Sequence, residues 1–281
     1  MGLFDWARGK SNEKLRAGRR AREQIMSAAH AKAIAAAQSE TIHDDWAYID
    51  SPLELPPAHI GSFDETFKRV LPVETLPHER NLRRYIERTF EHKKGGVIGI
   101  EFGGPASRLF AGFTPGFFKK SLGVSIRDYR KEEVRQSDAK RHHAVITGNM
   151  LWEETEERVD EWLGGEKVDV GFQRLLDGFE FIPIEPYTLG AWIQRRYRQL
   201  SDVGLLVLQV PLTMQPFLKP WSEAIQAKCG DRIQFQFVEG TNDRSTFETG
   251  ALRIQKMKGA PEELPPLDAR TIRNITEISR K

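Results

Sequence analysis

The 281-residue sequence has little of what most often announces chemistry. Its one cysteine, Cys229, excludes an intramolecular disulfide and a cysteine zinc cluster and points to a reducing, cytoplasmic setting or to indifference to redox. Cys229 itself reads as an inert small residue. No apolar run approaches the roughly 18 residues of a membrane span, so no transmembrane segment is expected. No His/Cys grouping has metal-ligand spacing and no Ser/His/Asp motif occurs, which leaves metal and covalent catalysis without a candidate. A net excess of one charge is also missing: 42 Lys plus Arg against 40 Asp plus Glu gives no global argument for a nucleic-acid binder. The apolar stretch of a secretory signal is absent, and Trp6 stands where a myristoylation motif after Gly2 wants Ser or Thr.

What is present, 39% hydrophobic and 29% charged residues, is the composition of a soluble globular protein. The length allows one large domain of about 180 to 200 residues with extensions. Residues 1–45 read as a basic, Ala/Arg-rich arm, helical or partly disordered. Up to Gln38 it carries Arg8, Lys10, Lys14, Arg16, Arg19, Arg20, Arg22 and Lys32 against Asp5, Glu13 and Glu23. Such an arm suits an anionic partner, or is a solvated helix docking loosely on its own domain. Residues 46–75, with Pro52, Pro56, Pro57 and Pro72, read as a linker. Residues 76–258 form the main domain and 259–281 a charged, Pro-rich surface tail.

The main domain is organised around Val97–Leu109. Val97, Ile98, Gly99 and Ile100 suit a buried strand; Glu101 supplies an acidic group; Gly103 and Gly104 make a turn; a short helix begins after Pro105. This order suits a nucleotide-type cofactor bound beyond a strand end, where a glycine turn lets the backbone approach. The dinucleotide fingerprint G-x-G-x-x-G is not met, because Pro105 and Arg108 replace its second and third glycines.

A helix over 78–92 precedes this stretch. After it come strands at Leu122–Ile126, at His143–Met150 running into a turn at Gly148 and Asn149, at Val168–Phe172 and at Leu205–Pro211, alternating with helices that carry Trp152, Val159, Trp162 and Leu163, then Leu189, Trp192, Ile193, Tyr197 and Leu200. Continuous apolar strands alternating with amphipathic helices imply a doubly wound, mostly parallel α/β sheet covered on both faces. Ile233, Phe235 and Phe237, then Leu252 and Ile254, predict a terminal antiparallel hairpin strand.

On these residues the chain resembles the S-adenosylmethionine-dependent methyltransferases with a seven-stranded Rossmann-like sheet, over about Leu76 to Lys258. The resemblance implies S-adenosylmethionine as cofactor, with Glu101, Gly103 and Gly104 on its methionine part and Ser125, or Asp128 three residues later, at the ribose. Asn149 and Met150 fall at the adenine, and Asp169 resembles the acidic residue that opens the fourth strand. The implied function is methyl transfer to an unidentified acceptor, a small molecule, protein or RNA. The alternative is a methyltransferase-like binding or scaffold protein without catalysis that uses its basic arm. A nicotinamide-dependent oxidoreductase is disfavoured by the missing third glycine.

Methyl transfer is an in-line displacement in which the protein aligns the nucleophile and excludes water, and a base is needed only for a protonated acceptor. Gln173, Arg174 and Asp177, after the fourth strand, are the candidates facing the acceptor region, with ordinary loop roles as the alternative. His142 and His143 fall at the start of the third strand, the wrong end of the sheet, and read as structural or surface residues. Glu185-Pro186-Tyr187 is similar to the Asp/Asn-Pro-Pro-Tyr motif of amino methyltransferases, but it lies too far past the strand and lacks a proline. Phe102, Phe110, Phe113, Phe117 and Phe118 surround the turn, as packing under the sheet or as an apolar lid.

Overall fold

The computed structural model describes residues 71, 81–125, 128, 130–150, 152–173, 186–211, 215–238 and 249–267. The basic arm of residues 1–45, nearly all of the linker, and the candidates Arg174 and Asp177 lie outside these. The described elements, in chain order, are α1 (Leu82–Thr89), β1 (Val97–Phe102), α2 (Ser107–Ala111), β2 (Phe118–Ser125), α3 (Glu132–Lys140), β3 (His143–Thr147), α4 (Glu153–Leu163), β4 (Val168–Gln173), α5 (Pro186–Gln199), β5 (Leu200–Pro211), α6 (Gln215–Cys229), β6 (Ile233–Val238) and β7 (Thr249–Lys256).

The seven strands form one sheet in the order β3-β2-β1-β4-β5-β7-β6. β1 to β5 pair in parallel, while β7 runs antiparallel between β5 and β6. The mostly parallel α/β architecture and its terminal hairpin are therefore as expected. Helices cover both faces, which is why the central strand β1 is buried along its whole length.

The alternation of side chains along each strand sorts the core into two layers. Ile98, Ile100 and Phe102 of β1, Leu122 and Val124 of β2, and Leu206, Leu208 and Val210 of β5 pack with Val159 and Leu163 of α4, Trp192 and Tyr197 of α5, and Trp221 and Ile225 of α6. The opposite layer joins Val97, Val170, Phe172, Leu205 and Val207 to Leu82 and Ile86 of α1 and to Leu109 and Phe110 of α2. Phe110, Phe113 and Phe117 belong to this second layer, with Phe118 packed against it, so these aromatics are packing. Phe102 lies in the first layer.

Four local readings are revised. The helix reading around Val134 was missed: α3 buries only Asp138, so it has no apolar stripe to find. α6 was hidden by Pro216 and Pro220, yet it persists through Pro220 because Leu218, Trp221, Ile225 and Cys229 are all buried. Trp152, assigned to the buried face of α4, instead precedes the helix as its N-cap and is 36% exposed. The supposed surface tail is partly core: Leu264 is 2% exposed, Trp221 Nε1 donates to the Pro265 carbonyl at 2.6 Å, and Tyr197 Oη to that of Pro261 at 2.9 Å.

Candidate functional site

The winding of the sheet reverses between β1 and β4, with β2 and β3 on one side and β4 and β5 on the other. At such a reversal the connections leave in opposite directions, opening a crevice outside the carboxyl ends of the strands where ligands of open α/β sheets bind. Buried polar side chains collect along that edge. Glu101 near the end of β1, Ser125 at the end of β2, Gln173 at the end of β4 and Gln209 on β5 are all buried, as is Asn149 just beyond β3. Glu101 pairs in register with Phe172, and Phe102 with Gln173, so Glu101 and Gln173 flank the reversal from opposite faces.

The turn after β1 is unusual in form. Gly103 takes φ of 125°, a conformation that favours glycine, and its N–H donates to the Val124 carbonyl at 2.9 Å. Ala106 opens α2 in the left-handed region, with φ of 58°, which costs a residue with a Cβ about 1 kcal/mol. Between them, Gly104 and Pro105 lie directly on β2. A Cβ at Gly123 would stand 2.3 Å from the Pro105 oxygen and 2.7 Å from that of Gly104. The close approach that the fingerprint obtains from glycines in the turn is here obtained from a glycine in the neighbouring strand.

The remaining sequence candidates separate. Gly148 N–H donates to the Ser125 carbonyl at 2.8 Å, which brings Asn149 and Met150, both buried, beside the end of β2. Asp128 is committed elsewhere: Arg130 binds it through Nε and Nη2, each at 2.9 Å. Burial alone would raise the Asp128 carboxyl, but the hydrogen bonds and charge of Arg130 outweigh it and hold the group below its ordinary range. Asp169 sits at the amino end of β4, far from the crevice, and binds Ile98 N–H at 3.0 Å, Lys93 at 2.6 Å and Ser201 at 2.6 Å. Its role is to tie strand starts together.

Two features escaped the sequence reading. Arg196 of α5 is fully buried, binds Glu156 of α4 through Nη2, and places its guanidinium 4.3 Å from the Phe102 ring centre. Among the described residues, its Nε and Nη1, and the indole N–H of Trp192 one turn earlier, meet no acceptor. The second is His143, at the amino end of β3 as expected but bonded to the Pro105 carbonyl of the glycine turn at 2.6 Å. No group of acidic, His and Cys side chains suited to a metal occurs among the described residues.

The strand order, the antiparallel terminal hairpin and the acidic-then-glycine turn at the sheet reversal decide the architecture. The fold is a seven-stranded Rossmann-like sheet, the arrangement implied by the sequence resemblance. No protein-family model matches the chain, and no curated protein sequence matches it significantly. Among solved structures, an rRNA methylase from Streptococcus thermophilus aligns at 12% identity over 62% of this chain and 95% of its own, with a TM-score of 0.41. The N-methyltransferase NodS from Bradyrhizobium japonicum aligns at 13% identity over 66% of this chain and all of its own, with a TM-score of 0.40. MycE, a methyltransferase of mycinamycin biosynthesis solved with Mg and SAH, aligns at 19% identity over 68% of this chain and 51% of its own, with a TM-score of 0.41. No helix among the described residues is long and apolar enough to cross a membrane.

Proposed function

We propose that the protein is an S-adenosylmethionine-dependent methyltransferase acting on an unidentified acceptor, a small molecule, a protein or an RNA. The observation that carries this reading is Glu101, 1% exposed near the carboxyl end of β1, with Gly103 and Gly104 just beyond Phe102 at the sheet reversal. A buried carboxylate there accepts hydrogen bonds from an ammonium group, and a turn without side chains leaves room for the rest of an amino acid. Asn149, an amide able to donate and accept, together with Met150 suits the edge and face of an adenine. The ribose position fits less well, since Asp128 is held by Arg130 and leaves Ser125 as the end-of-strand group.

Bound cofactor supplies an electrophilic methyl on a sulfonium. The chain supplies alignment and exclusion of water: Gln173, buried at the end of β4, orients an acceptor beside Phe102, and Arg174 and Asp177 belong to the same proposed acceptor side. A second reading, a binding or scaffold protein that has kept the fold without catalysis, is favoured by the one observation that Asp128 is neutralised in place.

Calorimetric titration with S-adenosylmethionine and S-adenosylhomocysteine separates the two. Micromolar binding weakened about tenfold or more in Glu101→Ala, as expected for losing a charge-assisted bond, with NAD inert, supports the enzyme and justifies an acceptor screen across the three classes. A folded protein that binds neither sulfur ligand sinks it.

A further inference from the structure

The backbone of residues 103–107 does not stop at the carboxyl edge; it crosses the face of β2 and lies on Gly123. Proline at 105 brings no N–H, so this point of the turn has no backbone donor to fasten it. Its carbonyl is fastened from outside, by His143 Nε2 at 2.6 Å, while His143 Nδ1 meets Ser121 Oγ at 2.8 Å.

The chemistry of the partners fixes the protons. A carbonyl only accepts, so Nε2 carries the hydrogen and donates; Nδ1 of the neutral ring then accepts from the Ser121 hydroxyl. Burial pushes the His143 pKa down to about 4, which keeps the ring neutral in this single tautomer around pH 7. Ser121 and Gly123 of β2 and His143 of β3 all present small or polar groups to the same face, and His143 lies 5.5 Å from the ring of Phe110 of α2. Two residues beyond Pro105, the hydroxyl of Ser107 donates to Asp138 at 2.5 Å, and Asp138 in turn holds Arg130 at 2.7 Å and Arg141. That second fastening secures the helix; the one at Pro105 secures the turn ahead of it.

We propose that His143 is a positioning residue for the nucleotide turn: its Nε2–H, oriented by Ser121, holds the Pro105 carbonyl down on Gly123 and so sets where Gly103 and Gly104 stand. The consequence for cofactor affinity rests on the methyltransferase reading, whereas the fastening itself does not. His143 acts through the turn and touches neither methyl donor nor acceptor.

The test combines amide hydrogen exchange, read at Gly103 and Phe110 against β4 and β5, with calorimetry using S-adenosylhomocysteine. The variants are His143→Phe, which keeps a flat ring and removes both bonds, His143→Gln, which keeps a donor and an acceptor, and Ser121→Ala. Leu163→Ala serves as a destabilised control remote from the turn. In His143→Phe the Gly103 amide should exchange about tenfold faster, the loss expected when a buried carbonyl is left unpaired, with β4 and β5 unchanged and ligand affinity falling by a similar factor. Glutamine should restore part of both, and Ser121→Ala should show a smaller change confined to the same amides. Unchanged exchange at Gly103, or a loss spread over the whole sheet as in Leu163→Ala, overturns the proposal. If His143→Phe does not fold, Ser121→Ala decides by the same criterion. If the wild-type protein binds no S-adenosylhomocysteine, the methyltransferase reading fails and the exchange data still settle the fastening.

Discussion

The two faces of the sheet are built on different principles. On the face covered by α4, α5 and α6, the strands present large aliphatic and aromatic groups, Ile98, Ile100 and Phe102 of β1 beside Leu122 and Val124 of β2. On the other face the same two strands present Gly99, Glu101, Ser121, Gly123 and Ser125. The first face is filled by side chains, with the Arg196–Glu156 ion pair buried among them. The second has its own aliphatic layer at Val97, Val170, Leu205 and Val207, but over Gly99 and Gly123 it is filled by backbone and rings: Gly104 and Pro105 over Gly123, Phe110 and Phe118 over Gly99. Side-chain packing tolerates exchange among shapes of similar volume, but a backbone held against a strand has one position. A turn that must hold a ligand belongs on the second kind of surface.

The largest expected effect comes from cutting the polar fastening of that face. Asp138 is fully buried and binds Ser107, Arg130 and Arg141. Asp138→Ala removes the shared acceptor of the Ser107 hydroxyl, Arg130 Nη1 and the part-exposed Arg141, while Arg130 keeps Asp128, and should cost about 3 kcal/mol, measured by urea denaturation. Loss of less than about 1 kcal/mol would show that the cluster is open to water and that the second face is not set by polar bonds.

Two glycines test the contrast directly. Gly123→Ala puts a methyl 2.3 Å from backbone, whereas Gly171→Ala puts one 2.8 Å from the movable Leu206 Cδ1 on the aliphatic face. Gly123→Ala should cost about 3 kcal/mol and weaken ligand binding together with stability, and Gly171→Ala about 1 kcal/mol with binding intact. Equal losses for the two would erase the distinction between the faces.

Much of this was legible beforehand, because apolar runs and 3.6-residue spacing record burial, and burial made β1, β3, β4, β5 and α4. The polar face was not legible for the same reason. α3 contributes a carboxylate instead of an apolar stripe, so periodicity passes over it. His143 was placed at the right end of β3 and read as a structural or surface residue, but its bond to the turn was not foreseen, because nothing in the spacing says that residues 104–105 fold back across β2. The one available signal was Gly123 inside an otherwise apolar strand, which marks a close backbone approach. Of the candidate site, the stretch Glu101–Gly104 was readable from order alone. Whether Asp128 was free was not, since that depends on Arg130 two residues away.

Acid should unfasten the second face before the first. His143 has its pKa lowered to about 4 from 6.5, chiefly by burial, so the unfolded chain binds its proton more readily than the native one. The stability due to its neutral form is complete above about pH 6.5 and is lost as pH falls from there toward 4, up to about 3 kcal/mol in all. Denaturation curves at pH 7 and pH 4.5 should differ by less in His143→Phe than in wild type. An identical pH difference in the two proteins would remove His143 from the acid response.

The smallest effect is expected where the same charge pattern sits in water. Glu166 is held by two lysines, Lys119 at 2.5 Å and Lys120 at 2.8 Å, as Asp138 is held by two arginines. The lysines pull the Glu166 carboxyl down to about 2, yet its side chain is 39% exposed. Salt screens such a group and the long side chains lose freedom in holding it, so most of the attraction does not appear as stability. Glu166→Gln should leave the melting temperature at 150 mM salt within about 1 °C of wild type, with any difference growing at low salt. A loss approaching that of Asp138→Ala would mean that geometry alone, and not burial, makes two cations on one carboxylate stabilising, and the contrast between the covered polar face and the exposed edge would then fail.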